Sequence, residues 1–106
     1  MEQIIEEYFA YLAIERGSSP LTIDAYAKDL ATYRTFLEER GKTDLARIER
    51  DDILAFQKSQ LDQGFAVSTL ERRLSAIKGL HRFALREGYV DADPAQAIPL
   101  PKKPGR

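Results

Sequence analysis

The stretch Ser68–Gly88, STLERRLSAIKGLHRFALREG, carries the strongest chemical signal in the chain. Laid out as a helix at about 100° per residue, it divides into two unlike faces. Leu70, Leu74, Ile77, Ala84 and Leu85 share one arc, with Leu80 beside it. Arg72, Ser75, Lys78, Gly79, Arg82 and Arg86 share the other, where Glu71 is the only acid and Ala76 sits at the edge. An apolar stripe buries a helix against a core. A row of cations separated by small residues can lie along a phosphate backbone or in a DNA groove. The competing reading is a solvated face on which cations happen to outnumber acids. Ser75, Ala76 and Gly79 favour the former, because they leave a flat surface that a partner can approach closely.

Catalytic groups do not converge anywhere in the chain. The one histidine, His81, projects towards the apolar arc and reads as a packed, hydrogen-bonded side chain. With no cysteine there is no disulfide, thiol chemistry or thiolate zinc site. No Gly-rich phosphate loop occurs. The acids Glu49, Asp51 and Asp52 suit the positive end of a helix. The tyrosines fall mostly on apolar stripes, and none has the cluster of Arg, Lys and His that would activate it as a nucleophile. No catalytic residue, metal or cofactor is therefore expected.

The elements that position the basic stripe follow from periodicity and stop signals. A first helix is expected over 2–16, with Ile5, Tyr8, Phe9, Leu12 and Ala13 inward and Gly17 as its stop. Ser19 as N-cap and Pro20 at the first helical position open a second helix to about residue 40, with Ile23, Tyr26, Leu30, Tyr33 and Leu37 inward. Residues 42–48 form a connector from which Leu45 and Ile48 tuck into the core. A third helix starts near Glu49–Asp52 and ends at Gly64, with Ile53, Phe56 and Leu61 as core contacts. Ser68 or Thr69 caps the fourth helix, and Gly88 ends it. Tyr89 and Val90 fold back on the bundle, and Asp93-Pro94 opens a short fifth turn covering Ala95 to Ile98. The expected class is all-α: a compact bundle of four main helices plus a short C-terminal helical turn. The domain is expected over 1–98, with 99–106 starting a basic, Pro-rich linker.

The chain has 106 residues and a net charge of −1, which alone argues against strong nucleic-acid binding. The charge is unevenly spread. Residues 1–64 carry 8 Lys/Arg against 13 Asp/Glu, and residues 65–106 carry 8 against 4. Such asymmetry gives a molecule one basic side, with isolated DNA affinity expected to be micromolar or weaker. The N-terminal stretch MEQIIEEYFAYLAIERG is no signal peptide, no run reaches the length of a membrane span, and a cytoplasmic location is expected.

The order S-x-x-T-x-x-x-Y-x-x-D-L occurs as Ser19, Thr22, Tyr26, Asp29 and Leu30, followed by Phe36-Leu37. T-x-x-R-R-L-S-A-I-K runs from Thr69 to Lys78, followed by Phe83, Glu87-Gly88, Asp93-Pro94-Ala95 and Pro101-Lys102. Over almost the whole chain this resembles the core-binding domain of tyrosine recombinases, the SAM-like N-terminal domain of phage integrases. Within that family it is most similar to the Xer recombinases of the XerD and XerC kind, which resolve chromosome dimers. The resemblance implies a helical arm of a clamp on duplex DNA at a recombination half-site. The second catalytic arm would carry the Arg, Lys, His and Tyr residues of the chemistry. His81 cannot begin the family's H-x-x-R motif, because position 84 is Ala. By this resemblance the chain is a non-catalytic part of a longer recombinase.

The resemblance places the DNA-facing positions at Thr22, Ala25 and Lys28 on the second helix. On the fourth it places them at Ser68, Thr69, Arg72 and Ala76, flanked by Ser75 and Lys78. Arg72 is expected to contact a base or phosphate, and Lys28, Lys78 and Arg82 to contact phosphates. Arg73 lies nearer the apolar side and would brace the bundle. The implied partners are double-stranded DNA and other recombinase protomers assembled on it, with a monomer expected in the absence of DNA. Ile4, Phe9 and Ile98 are candidates for apolar residues left over for such contacts, the alternative being that they simply finish the bundle, above all Phe9. A protein–protein interaction module without DNA binding is the alternative. A helix-turn-helix regulator would need a short recognition helix after a tight turn, whereas the fourth helix is long.

Overall fold

Among the described residues four helices and one 3-10 turn follow one another: α1 (Glu2–Ile14), α2 (Pro20–Glu39), the turn Leu45–Arg47, α3 (Arg50–Asp62) and α4 (Val67–Arg86). The computed structural model describes residues 1–100, and no strand occurs among them. The all-α bundle is as expected. The expected linker over 99–106 lies outside the described residues from 101 onwards.

The helix boundaries have local causes. Ser19 Oγ accepts from the Thr22 N–H at 3.1 Å, and Pro20 takes the first helical position, where a missing N–H costs nothing. At the start of α3 the Glu49 N–H donates to Asp52 Oδ2 at 2.8 Å. The same carboxylate meets Arg40 Nε at 3.1 Å and Lys42 Nζ at 3.2 Å, tying the end of α2 to the start of α3. Burial would raise the Asp52 pKa. The Glu49 N–H and the two cations outweigh it and hold the carboxyl below its usual value. Helix α4 starts earlier than expected, with Ala66 as an N-cap that offers no side-chain acceptor. It stops at Gly88, whose φ of 81° lies where a Cβ would be strained.

Helix α2 packs on α4, α1 lies against both, and α3 closes the other side of the α2–α4 pair. Leu30, Tyr33, Leu37, Ile53, Phe56, Leu74, Ile77 and Leu80 are fully buried between them. Leu45, Ile48, Val90, Ala95 and Ile98 complete the core, as their expected tucking-in required. His81 is buried as expected, with Nε2 2.9 Å from the Tyr33 hydroxyl. Tyr33 in turn sets its ring edge-on to Phe56, 5.3 Å between centroids.

Several inward assignments are corrected. Leu61 is 55% exposed, and Gln60 takes the buried place, because the inward row on α3 runs Ile53, Phe56, Gln60. Ala13, Leu85 and Tyr89 are exposed. Phe83 and Ala76 are buried instead, Phe83 because α1 sets Tyr8 and Tyr11 tilted against its ring, 5.6 and 5.3 Å between centroids. Residues 94–97 form hydrogen-bonded turns rather than a helix, opened by Asp93 Oδ1 accepting from the Ala95 N–H at 3.0 Å. Ile98 is 2% exposed and serves the core, and Ile4 and Phe9 pack against it partly buried. The most exposed apolar side chains are Ile14 and Leu21.

Burial lowers the His81 pKa from 6.5 to about 4, so the ring is neutral in the folded chain while the unfolded chain takes up a proton below about 6.5. Stability is therefore full above pH 6.5 and is lost as pH falls towards 4. Denaturant titrations should show a loss of about 2 kcal/mol between pH 6.5 and about pH 5, above the carboxylate range. The Tyr33→Phe/His81→Leu double variant should be flat across that window. An equal slope in both proteins would refute the assignment.

Candidate nucleic-acid interface

Along the outer seam of the bundle, α4 presents Arg72, Ser75, Gly79, Arg82 and Arg86 at helical spacing. Gly79 is the close point. A Cβ there would overlap the Tyr8 hydroxyl and lie 3.1 Å from Tyr8 Cζ. Glycine thus lets α1 set a tyrosine against the α4 backbone. Burial pushes the Tyr8 phenol up to about 12, so it remains a neutral hydroxyl.

Beside this contact, α1, α2 and α4 enclose an open cleft of about 470 Å³. Arg16, Lys78, Arg82 and Arg86 line it together with the phenols of Tyr8, Tyr11 and Tyr26 and the hydroxyls of Ser18, Thr22 and Ser75. Among the described residues no carboxylate lines it. Arg86 lies 4.4 Å over the Tyr11 ring and donates to its hydroxyl at 3.3 Å. Hydrogen bonds from Arg86 and Arg16 hold the Tyr11 pKa below its usual value. Arg82 makes no ion pair among the described residues. A concave surface lined by four cations and several hydroxyl donors, with no acid among its described residues, attracts anions.

The sequence-expected residues do not all lie together. Thr22, Ser75, Lys78 and Arg82 border the cleft. Ser68 and Lys28 are exposed, and Thr69 and Ala25 are half-buried, around the start of α4 and the first half of α2. Lys28 pairs with Asp24 at 3.3 Å across two well-exposed side chains, a contact that gives way easily to a phosphate.

Two expectations fail, and one gains a second role. Ala76 is fully buried and cannot touch DNA, because α4 is packed on by three helices and its buried arc is wider than a single face. Lys78 is not a free phosphate ligand. Its Nζ donates to the carbonyls of Ala95 at 2.9 Å and Gln96 at 3.3 Å, and also to that of Ile98, clamping the returning C-terminal segment. Arg72 stands half-exposed at the surface, but it also holds the buried carboxylate of Asp29. Arg73 braces the bundle as expected, through Asp29 and Gln60. Sequence reasoning missed Arg16, Tyr8, Tyr11 and Tyr26 as cleft residues. The close pair of Gly79 with an aromatic one helix away is visible only in three dimensions.

Residues 5–88, from the first turn of α1 through all of α4, match the model of the phage integrase N-terminal SAM-like domain. The chain belongs to that family. Among curated proteins, the SAM-like chain is 40% identical over 102 residues to the tyrosine recombinase XerD of Staphylococcus haemolyticus, covering 96% of the chain and 35% of that relative. It is 38% identical over 104 residues to the XerD of Oceanobacillus iheyensis and 37% identical over 102 residues to that of Staphylococcus aureus strain Mu50. The chain thus spans about a third of the length of the curated relatives it matches. No solved structure matches it at a significant level. Helices α2, α3 and α4, most of α1, and every residue expected at the DNA surface fall inside the matched region.

The Gly79 contact generates a test. Alanine is the better helix former, by about 1 kcal/mol. Gly79→Ala should nevertheless destabilise the chain by about 1–3 kcal/mol, because Tyr8 has to move. Tyr8→Phe removes the overlapping hydroxyl and should recover part of that loss in a double-variant cycle. A stabilised Gly79→Ala chain would show that α1 and α4 do not meet this closely.

Proposed function

We infer that this chain is the DNA-binding arm of a site-specific tyrosine recombinase of the Xer type, gripping duplex DNA at a recombination half-site. The observation that carries the reading is the acid-free cleft, set in a chain whose overall charge is slightly negative. Cations gather in this cleft without acids beside them among the described residues, which orients the molecule on a polyanion rather than binding it at random. Arg82 and Arg16 are the main phosphate contacts, Lys28 and Arg86 can join them, and the hydroxyls of Ser18, Thr22 and Ser75 position the backbone. The side chains of Arg72, Ser68 and Thr69 continue the surface towards base edges. Strand cleavage belongs to residues outside this chain, and resolution of chromosome dimers in the cytoplasm is the process served. DNA concentrates protomers and so assembles the recombinase, while the free chain stays monomeric.

Titration of a labelled duplex at rising salt tests this reading. Binding should be micromolar or weaker and should fall steeply with salt. Arg82→Gln and Arg16→Gln should each make the slope of log affinity against log salt shallower by about one unit. Lys78→Gln should leave that slope nearly unchanged and instead lower stability by about 1–3 kcal/mol, since three carbonyls lose their donor. Absence of binding even at low salt would overturn the reading and favour an interaction module that works through other faces.

A further inference from the structure

Asp29 is 1% exposed, yet its partners come from the surface. Arg72 donates from Nε to Oδ2 at 2.8 Å and from Nη2 to Oδ1 at 2.7 Å. Two parallel contacts fix the plane of the guanidinium as well as its position. Arg73 adds an Nε contact to Oδ1 at 3.3 Å, donates from Nη1 to Gln60, and lies 4.5 Å over the Phe65 ring. The two neighbouring arginines are therefore not equivalent. The Arg73 side chain is 14% exposed and its polar contacts, Asp29 and Gln60, are buried. The Arg72 side chain is 49% exposed and is held by one edge only. Its other edge, with Nη1 and the second Nη2 hydrogen, has no partner among the described residues. That free edge is a pair of parallel donors, the pattern that guanine O6 and N7 accept in the major groove. An arginine on a surface ordinarily loses rotamer freedom when it binds. At Arg72 that ordering has already occurred.

We propose that Asp29 is a positioning residue that presents Arg72 as a pre-oriented base reader. Sequence preference, more than affinity, depends on Asp29. The proposal rests on the DNA-binding reading above. It differs from a purely structural role for Asp29 in one sign. Removing a carboxylate makes the surface more positive, so binding to an arbitrary duplex should hold or strengthen, while discrimination between bases is lost.

The test is selection from a pool of duplexes randomised at their centre, by the 106-residue chain and its variants, each shown to be folded by circular dichroism. The unaltered chain should prefer guanine at one position by about tenfold. Asp29→Asn and Arg72→Ala should each abolish that preference, and the double variant should lose no more than either. Asp29→Asn should bind an unselected duplex at least as tightly as the unaltered chain. Arg72→Lys keeps the charge and Asp29 but not the two-point contact. It should hold unselected duplexes while losing the tenfold preference, and it decides the matter if Asp29→Asn does not fold. Retention of the preference in Asp29→Asn or in Arg72→Lys would overturn the proposal, as would additive losses in the double variant. A parallel fall on selected and unselected duplexes in Asp29→Asn would also overturn it. An unaltered chain that binds all duplexes equally defeats this proposal alone, whereas one that binds none defeats the DNA reading itself.

Discussion

Gly79 lets Tyr8 of α1 lie against the backbone of α4, and that approach determines what the outer seam can be. With a side chain at position 79, α1 would stand away from α4. The cleft between α1, α2 and α4 would change shape, and Phe83 would lose the tyrosines that cover it. The same seating brings Tyr8, Tyr11 and Arg16, from an otherwise acidic N-terminal region, to the edge of the basic helix. Close packing and electrostatics are thus joined at one residue.

Polar groups inside the bundle connect its layers. Asp52 ties the end of α2 to the start of α3, and Asp29 ties α2 to α4. Each carboxylate is almost fully buried and meets at least two cations. Buried pairs of this kind add little net stability over apolar packing, but their two-point geometry allows few alternatives. Helix α4 therefore has a defined rotation about its axis, which a stripe of Leu and Ile alone would leave looser. A surface that reads an extended polyanion depends on that rotation, because a turn of the helix would carry Arg82 away from Arg16.

Much of the bundle was legible in the sequence. Ser19-Pro20, Gly17, Gly41, Gly64 and Gly88 mark helix ends by their backbone chemistry, and the stripe containing Leu70, Leu74 and Ile77 marks the inward face of α4. His81 was placed inside by its position on that stripe. The errors share a cause. A helical wheel assigns one buried face, whereas α4 is covered by α1, α2 and α3 together, so its buried arc is wider. Ala76 moved from the surface to the core for this reason. Lys78 was misread because its partners are carbonyls of residues 95–98, and no periodicity shows where a returning segment will lie. Arg72 and Arg73, adjacent in sequence, differ only through Asp29 and Gln60, which are 43 and 13 residues away respectively.

The most direct measurement is a nuclear magnetic resonance titration of the uniformly labelled 106-residue chain with a short duplex at low salt. The account predicts that shifts concentrate on Ser18, Thr22, Ser75 and Arg82 and on the Arg72 guanidinium, while the face of Leu54, Leu61 and Val67 stays unchanged. Shifts centred on Leu54, Leu61 and Val67, with the cleft residues silent, would contradict it.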